Sequence, residues 1–381
     1  MTIDVAEYSL YVSHVLGLIL APVLILGMVR YSKYVSMGLW LIALAVVIVL
    51  PTSLLFGPSG RFNYVPQLTS NVILFLLAVI LFSSLTRSQF CALVRVSIWA
   101  LVLASILQIV FFPSASGSKE RVAGITRPVI FFLESTWLAI VAAMLFAAAL
   151  TLGLKWHALL ISTLIFVVFT RSALAIAVAV ILVCIPLVWR SRGLTVAIIA
   201  MIWTFAVWFV YSAFTATSRV KAVSSLDTRQ LDIFAVKAAN GGAIPWTGSR
   251  QLVVYDSFRD RMIPNTSNVL AFDLYWKFGI AGLVLLAFWA WLWCWYLPRI
   301  SGASITIPST LPAWVCLALL PAVMQLNNGF GRPWMWVMSA LLVVAIAKQA
   351  AGSRNRCRGA CRTRAAQRLG RQVPDERSGP F

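Results

Sequence analysis

The sequence predicts an all-α protein, a polytopic transmembrane helix bundle of about eleven spans. Three observations support this fold class. Of the 381 residues, 61% are hydrophobic and only 11% are charged, which excludes a soluble globular protein. Long apolar runs follow one another with short connections, as helices that cross a hydrocarbon core of roughly 30 Å require. Arg and Lys recur in alternate connections, as expected when those connections share one side of a membrane.

The apolar runs give the positions of the spans. We place them at residues 8–29, 35–57, 67–86, 91–112, 129–153, 156–170, 172–189, 194–215, 268–297, 304–322 and 333–349. The basic connections contain Arg30, Lys33, Arg87, Lys155, Arg190, Arg192 and Arg299. Because cytoplasmic loops are enriched in Arg and Lys, this alternation predicts a periplasmic N-terminus and a cytoplasmic C-terminus.

Arg171 lies in the middle of a long apolar stretch. As a single helix, residues 156–189 would be about 51 Å long, so we expect two spans joined by a tight outward-facing turn at Thr170, Arg171 and Ser172. The first of these helices is short, which puts Arg171 below the headgroups. A guanidinium at that depth calls for a partner or a water-filled cavity, unless it serves as a snorkelling anchor.

Two regions lie outside the spans of the transmembrane domain (1–351). The external loop at about 216–267 is too long for a simple connection and is the expected functional segment. The basic cytoplasmic tail, 352–381, lacks a core-forming pattern, so we expect it to be disordered and held against anionic lipid. The net charge of +20 points to an anionic partner such as a lipid phosphate or an acidic polymer.

The external loop contains one helical pattern. In "LDTRQLDIFAVKAANGG", Leu231, Phe234, Ala235 and Ala238 share a stripe, and Asn240 with Gly241 can end the helix. This amphipathic helix is either a functional lid over the bundle or a plain interfacial helix. Pro245 and Gly248 then bend the chain before Arg250.

Glu134 is the acidic residue that the sequence places nearest in depth to Arg171. The loop before it, "GSKERVAGITRPVIFFLEST", carries Arg121 and Arg127 outside the membrane. Glu134 and Arg171 either neutralise each other or form a reaction centre, with the carboxylate as base and the guanidinium as phosphate holder. Asp232, in the loop helix, is a second candidate base.

Four segments together resemble the O-antigen ligase and polymerase superfamily of bacterial envelope polysaccharide synthesis. They are "RVAGITRPVIFFLES", "FTRSALA", "TRQLDIFAVKAANGGAIPWTG" and "NVLAFDLYWKFGIAGLVLL". The last contains a turn of the Gly-Ile-x-Gly type at Gly279, Ile280 and Gly282. The resemblance implies an inner-membrane glycosyltransferase, independent of metal and other cofactors, that acts on glycan carried by undecaprenyl pyrophosphate at the periplasmic face.

The resemblance also implies roles for individual residues. The guanidinium positions of the family correspond to Arg171, Arg229 and Arg250, and Arg121 and Asn268 are further candidate substrate-binding residues. Family ligases carry His-Asn at the end of the loop, whereas this chain has Ser267 and Asn268. That departure favours a polymerase over a ligase. His14, in the outer half of the first span, is either an interfacial residue or a replacement base, and His157 is expected on the cytoplasmic side.

The implied partners are the undecaprenyl-pyrophosphate-linked glycan, membrane lipids, and a chain-length regulator and flippase of the same pathway. Nucleic acid is excluded, because most of the chain is expected inside lipid. A flippase or exporter of lipid-linked oligosaccharide is the main alternative to an enzyme. Transporters often contain paired repeats around a midplane site, whereas here no repeat is visible and the charged groups cluster on the outer side.

Overall fold

The computed structural model describes residues 2–5, 8–11, 19, 31–56, 64–112, 121–122, 125–126, 135–169, 192–215, 233–238, 240–249, 254–256, 261–263, 269–303, 307–325 and 330–370. In the short strands, and at 56, 135–136, 166–169, 192–196, 198, 209, 213–215 and 354–370, this description covers the backbone only. The described part of the chain is mostly helical, which confirms the predicted fold class in its coarse form. Five described helices are long and apolar enough to cross a membrane.

The helices are numbered in chain order. They are α1 (Ser32–Phe56), α2 (Tyr64–Ser84), α3 (Arg87–Phe111), α4 (Ser135–Leu152), α5 (Lys155–Phe169), α6 (Arg192–Thr215), α7 (233–238), α8 (Leu270–Phe278), α9 (Ile280–Ile300, whose residues Leu292–Tyr296 form a π-helical turn), α10 (Leu311–Val323) and α11 (Pro333–Gly370). The candidate spans are α1, α2, α3, α9 and the first part of α11, Pro333–Ser353.

Three short antiparallel hairpins accompany the helices. They pair β1 (Thr2–Val5) with β2 (Tyr8–Tyr11), β3 (Arg121–Val122) with β4 (Ile125–Thr126), and β5 (Val254–Asp256) with β6 (Arg261–Ile263). The first hairpin corrects the predicted start of span one, because residues 8–11 are extended. In this strand Tyr8 and Leu10 lie on one face, and Ser9 and Tyr11 lie on the other. The rest of that span and His14 lie outside the described residues.

Contacts between helix ends divide the described bundle into two ends. At the basic end, the Nζ atom of Lys348 donates hydrogen bonds to the carbonyl oxygens of Leu85 (2.6 Å) and Ser83 (3.3 Å). Arg87 donates to the Oε1 atom of Gln349 at 2.6 Å. The start of α3 at this end carries a capping box, in which Thr86 and Gln89 satisfy each other's backbone N–H groups.

At the opposite end, the loop end, the starts of α2, α4 and α11 lie near the end of α8. The Tyr64 ring lies 5.2 Å from that of Phe278 and 6.2 Å from that of Phe330, which precedes α11, and the Trp137 ring lies 6.4 Å from that of Trp334. α2 and α11 therefore run in the same direction, as two spans separated by an even number of crossings must. Among the described residues, Arg87 of a predicted cytoplasmic connection lies at the basic end, and residues 246–249 of the predicted external loop lie at the loop end.

Two boundaries differ from the sequence-based expectation. The span predicted at 268–297 is two helices, α8 and α9, broken at Gly279. The last helix continues to Gly370, well past residue 352, where we expected disorder to begin. Arg, Ala and Gln are good helix formers, and a helix that is already nucleated in the bundle extends at little cost. Residues 371–381 lie outside the described part.

A π-helical turn interrupts α9 where it packs on α10. The carbonyl oxygen of Cys294 lies four residues before Pro298, which has no N–H group to donate, and it accepts a 2.9 Å hydrogen bond from the indole of Trp314. The Sγ atom of Cys294 lies 3.3 Å from the carbonyl oxygen of Ala318. These contacts pair α9 with α10 below the loop end and hold the second half of the broken span in place.

Candidate functional site

The loop end carries a docked unit, which consists of α7, the turn at 244–249 and helix α8. Ile233 and Val236 of α7 are fully buried against Val269, Phe272 and Trp276. This small apolar cluster is separate from the main core of the bundle. Part of the predicted external loop therefore packs on the helix bundle as a structured element.

The buried face of α7 differs from the predicted stripe. Ala235 is buried as expected, but Phe234 is only partly buried and Ala238 is exposed, while Ile233 and Val236 contribute most of the contact. Leu231 lies outside the described residues. The helix is short and apolar on two sides, so its packing partner selects the face.

The end of α7 follows the prediction. The amide nitrogen of Asn240 donates to the carbonyl oxygen of Val236 at 3.2 Å, and that of Gly242 donates to the carbonyl oxygen of Lys237 at 2.8 Å. Gly241 and Gly242 both have positive φ angles, which glycine adopts at little cost. The side chain of Asn240 also accepts a 2.9 Å hydrogen bond from the Oγ atom of Ser249. The end of α7 is thereby tied to the following turn.

The turn at 244–249 fits into the break between α8 and α9. The amide nitrogen of Ile280 donates to the carbonyl oxygen of Trp246 at 2.9 Å, and that of Ser249 donates to the carbonyl oxygen of Trp276 at 2.8 Å. In a continuous helix the N–H group of Ile280 would instead donate to the carbonyl oxygen of Trp276. The break is therefore a binding groove for the backbone of the external loop.

Glycines allow this close contact. Gly279 has φ +61°, and a Cβ atom there would clash with the carbonyl group of Trp246 and lie 2.6 Å from the carbonyl carbon of Thr247. Gly248 has φ +96°, and a Cβ atom there would lie 3.0 to 3.1 Å from backbone atoms of residues 276–279. One turn further on, a Cβ atom at Gly282 would meet the backbone of Leu274 at 2.7 Å. The two segments approach backbone to backbone.

A buried glutamine supports the start of α8. The amide nitrogen of Ala271 donates to the Oε1 atom of Gln325 at 2.9 Å, and that of Leu270 donates to the carbonyl oxygen of Met324 at 3.3 Å. The Nε2 atom of Gln325 donates to the carbonyl oxygen of Pro321 at 2.8 Å. Two first-turn N–H groups of α8 are thus satisfied by the end of α10. Asp273, only 2% exposed, lies in the same first turn, where a carboxylate is electrostatically favoured.

Arg332 is a cation at the loop end that sequence reasoning missed. Its guanidinium lies 4.3 Å from the ring centroid of Trp137, which is buried at the start of α4. Burial lowers the pKa of Arg332 below its ordinary value. The signal in the sequence was "GRPW", which places an Arg directly before a Pro-initiated helix and beside a Trp. The stack fixes the position of one positive charge at this end of the bundle.

Most of the predicted site residues lie outside the described part of the chain. These are Arg171, Glu134, Asp232, Arg229, Arg250 and Asn268. Arg121 is described through its backbone alone, in strand β3. Three of these positions are bonded directly to described residues of the docked unit: Asp232 to Ile233, Arg250 to Ser249 and Asn268 to Val269. Those three neighbours are all buried at the loop end.

No family model, curated protein or solved structure matches this chain.

Proposed function

We propose that this chain is a bacterial inner-membrane glycosyltransferase with about eleven spans. In this proposal it polymerises oligosaccharide repeat units, carried on undecaprenyl pyrophosphate, into O-antigen, capsule or exopolysaccharide. The loop end faces the periplasm, and the basic end with the C-terminal tail faces the cytoplasm. The Arg and Lys residues at the basic end support this orientation, because these residues are enriched in cytoplasmic loops.

One observation carries the proposal more than any other. Two of the four segments that resemble the polysaccharide polymerase and ligase superfamily, "IPWTG" and "KFGIAG", pack on each other through the Trp246 to Ile280 hydrogen bond. Both carry glycines where a side chain would prevent the contact. Two of the segments that carry the resemblance therefore form a single packed unit.

The reaction requires substitution at the anomeric carbon of a lipid-linked sugar. The hydroxyl oxygen of the incoming sugar forms the new bond, and the bond from the anomeric carbon to the phosphate oxygen breaks. The electron pair stays with the departing undecaprenyl pyrophosphate, and the hydroxyl proton passes to a carboxylate, Glu134 or Asp232. In this mechanism Arg171, Arg229 and Arg250 stabilise the growing negative charge with fixed guanidinium donors.

The docked unit supports this assignment through the covalent chain. Asp232, Arg250 and Asn268 are each one bond from a buried residue of the unit, and consecutive Cα atoms are about 3.8 Å apart. A carboxylate, a guanidinium and an amide are therefore tethered to one packed element. Arg121 and Asn268 are assigned to substrate binding, and Arg332 adds a fixed positive charge at the same end of the bundle.

The second candidate is an O-antigen ligase, which would transfer finished glycan to lipid A core. The chain has Ser267 and Asn268 where ligases of the family carry His-Asn, so the polymerase is favoured. The third candidate is a flippase or exporter of lipid-linked oligosaccharide. The docked unit at one end of the bundle favours an enzyme over a transporter, because a transporter needs a site open to both faces in turn.

The test is a gel profile of envelope and secreted polysaccharide from a strain that lacks the gene. The strain is complemented with wild type, with Arg171→Ala, or with Arg95→Ala as a control at an exposed arginine on α3. The proposal predicts long chains with wild type and with the control, but single repeat units with Arg171→Ala. Long chains that accumulate on the carrier in the deletion strain would establish the ligase. Repeat units trapped on the cytoplasmic side would establish the flippase.

A further inference from the structure

One polar atom on α2 and one on α9 are buried without a hydrogen-bond partner. The Nε1 atom of Trp289 and the Oδ1 atom of Asn71 have no hydrogen-bond partner, and their residues are 0% and 1% exposed. A buried indole N–H or amide oxygen without a partner costs about 1 to 3 kcal/mol. Most such groups in folded proteins are paired with protein or with ordered water.

Two other buried indoles in the described part of the bundle have partners. Trp293 donates to the Oγ atom of Ser339 at 3.1 Å, and Trp336 donates to the carbonyl oxygen of Phe330 at 2.8 Å. Trp289 packs against both of these neighbourhoods, since its ring lies 5.3 Å from that of Trp293 and 4.7 Å from that of Phe330. The N–H group of Trp289 therefore lacks a hydrogen-bond partner, whereas the indole N–H groups of the nearby Trp293 and Trp336 have one.

The register of the two helices brings Asn71 and Trp289 to the same level. The rings of Phe75 on α2 and Trp293 on α9 lie 6.1 Å apart. Asn71 and Trp289 are each four residues before that pair, which places both about 6 Å closer to the loop end. Both helices run away from the loop end, so the two displacements have the same direction.

The helical phase agrees with this register. Tyr64, Asn71 and Phe75 lie on one face of α2, because separations of seven and four residues return to the same side of a helix. Tyr64 packs on Phe278, directly before α9, so this face of α2 points toward the broken span. An acceptor on α2 and a donor on α9 therefore lie at the same depth, on two helices that meet at the Phe75–Trp293 contact.

We infer that a buried water molecule bridges the Nε1 atom of Trp289 and the Oδ1 atom of Asn71. The indole N–H donates to the water oxygen, and the water donates one hydrogen to the amide oxygen. Water suits this pair because it both donates and accepts, and buried waters in proteins satisfy such otherwise unpaired groups. This hydration site joins the two helices between the loop end and the Phe75–Trp293 contact, and it does not depend on the proposed enzymatic function.

The test is a double-mutant cycle on thermal unfolding of the purified full-length protein in detergent. Asn71→Leu removes the acceptor with little change in volume, and Trp289→Phe removes the donor. If water bridges the two groups, each single change lowers the unfolding temperature by about 2 °C or more. The second change then adds less than its separate effect, because the bridge is already lost.

Trp293→Phe is the matched control, since it removes the same indole and breaks an observed hydrogen bond to Ser339. Trp289→Phe should lower the unfolding temperature to a similar extent. A rise in the unfolding temperature of Asn71→Leu, or strictly additive effects of the two changes, would overturn the inference, because removal of two dry, unpaired groups relieves a cost.

Discussion

The amide nitrogen of Ile280 donates a 2.9 Å hydrogen bond to the carbonyl oxygen of Trp246, and this bond joins the predicted external loop to the break between α8 and α9. A continuous helix would have used that N–H group internally. The break therefore leaves the N–H group of Ile280 and the carbonyl group of Trp276 available to another segment at the loop end. The segment that carries Gly248 and Ser249 pairs with both groups.

Gly279→Ala should separate the loop from the span. The substitution introduces a Cβ atom at φ +61°, in contact with the backbone at Trp246 and Thr247. At φ +61° and ψ −144° the backbone of Gly279 lies in a region that is essentially restricted to glycine and costs about 1 to 3 kcal/mol for another residue, and the clash adds to that cost. We expect a lower unfolding temperature and loss of long polysaccharide chains. Gly331→Ala is the control, because a Cβ atom there meets nothing within 4 Å.

Ile233→Ala should loosen α7 on α8. Ile233 is fully buried in the small cluster with Phe272 and Trp276, and truncation of such a side chain typically costs about 2 to 5 kcal/mol. The expected result is faster cleavage of the external loop in limited proteolysis of the purified protein. Ala238→Ser, on the exposed side of the same helix, should leave the cleavage rate unchanged. Equal rates for wild type and Ile233→Ala would contradict the docking of α7.

Arg332→Ala should weaken the loop end by removal of the stack on Trp137. A partly desolvated cation–π contact contributes about 0.5 to 2 kcal/mol. We expect a lower unfolding temperature, and Arg332→Lys should recover only part of it because an ammonium lacks the planar face. Trp137→Leu should abolish the difference between Arg and Lys at position 332. If that difference persists, the contact with Trp137 is not its source.

Lys348→Met should destabilise the basic end without any direct effect on chemistry. Lys348 donates to the last carbonyl groups of α2 and of the turn after it, and charged hydrogen bonds of this kind contribute about 1.5 to 3 kcal/mol. The measurement is thermal unfolding, with Lys33→Met as the control at an exposed lysine of α1. Polysaccharide length per folded molecule should match wild type.

Hydropathy predicted α1, α2 and α3 to within a few residues, because a long apolar run must be a helix where backbone groups have no water to bind. Hydropathy predicted a single span across Gly279, because the residues on both sides of Gly279 are apolar. A hydropathy profile does not distinguish a broken helix from a continuous one. The Gly-Ile-x-Gly pattern was visible, but its partner segment lies more than thirty residues upstream. Only the folded backbone shows that the two meet.

The face of α7 illustrates a second limit. Periodicity favoured Phe234 and Ala238, whereas packing on Val269 and Trp276 selected Ile233 and Val236. A short helix with apolar residues on two sides satisfies either pattern, so tertiary contact decides. Arg332 was missed for a related reason, because its importance comes from Trp137, a residue far away in sequence. The roles of Arg171, Glu134 and Arg229 remain predictions.

The most direct test of the central proposal is reconstitution of the purified protein in liposomes. Lipid-linked repeat units extracted from the deletion strain serve as substrate, and a chelator removes divalent metal. The proposal predicts a ladder of carrier-linked products that differ by one repeat unit, with release of undecaprenyl pyrophosphate, and no ladder with Arg171→Ala. Substrate that stays as single units, whether it crosses the bilayer or moves only to added lipid A core, would contradict the assignment as a polymerase.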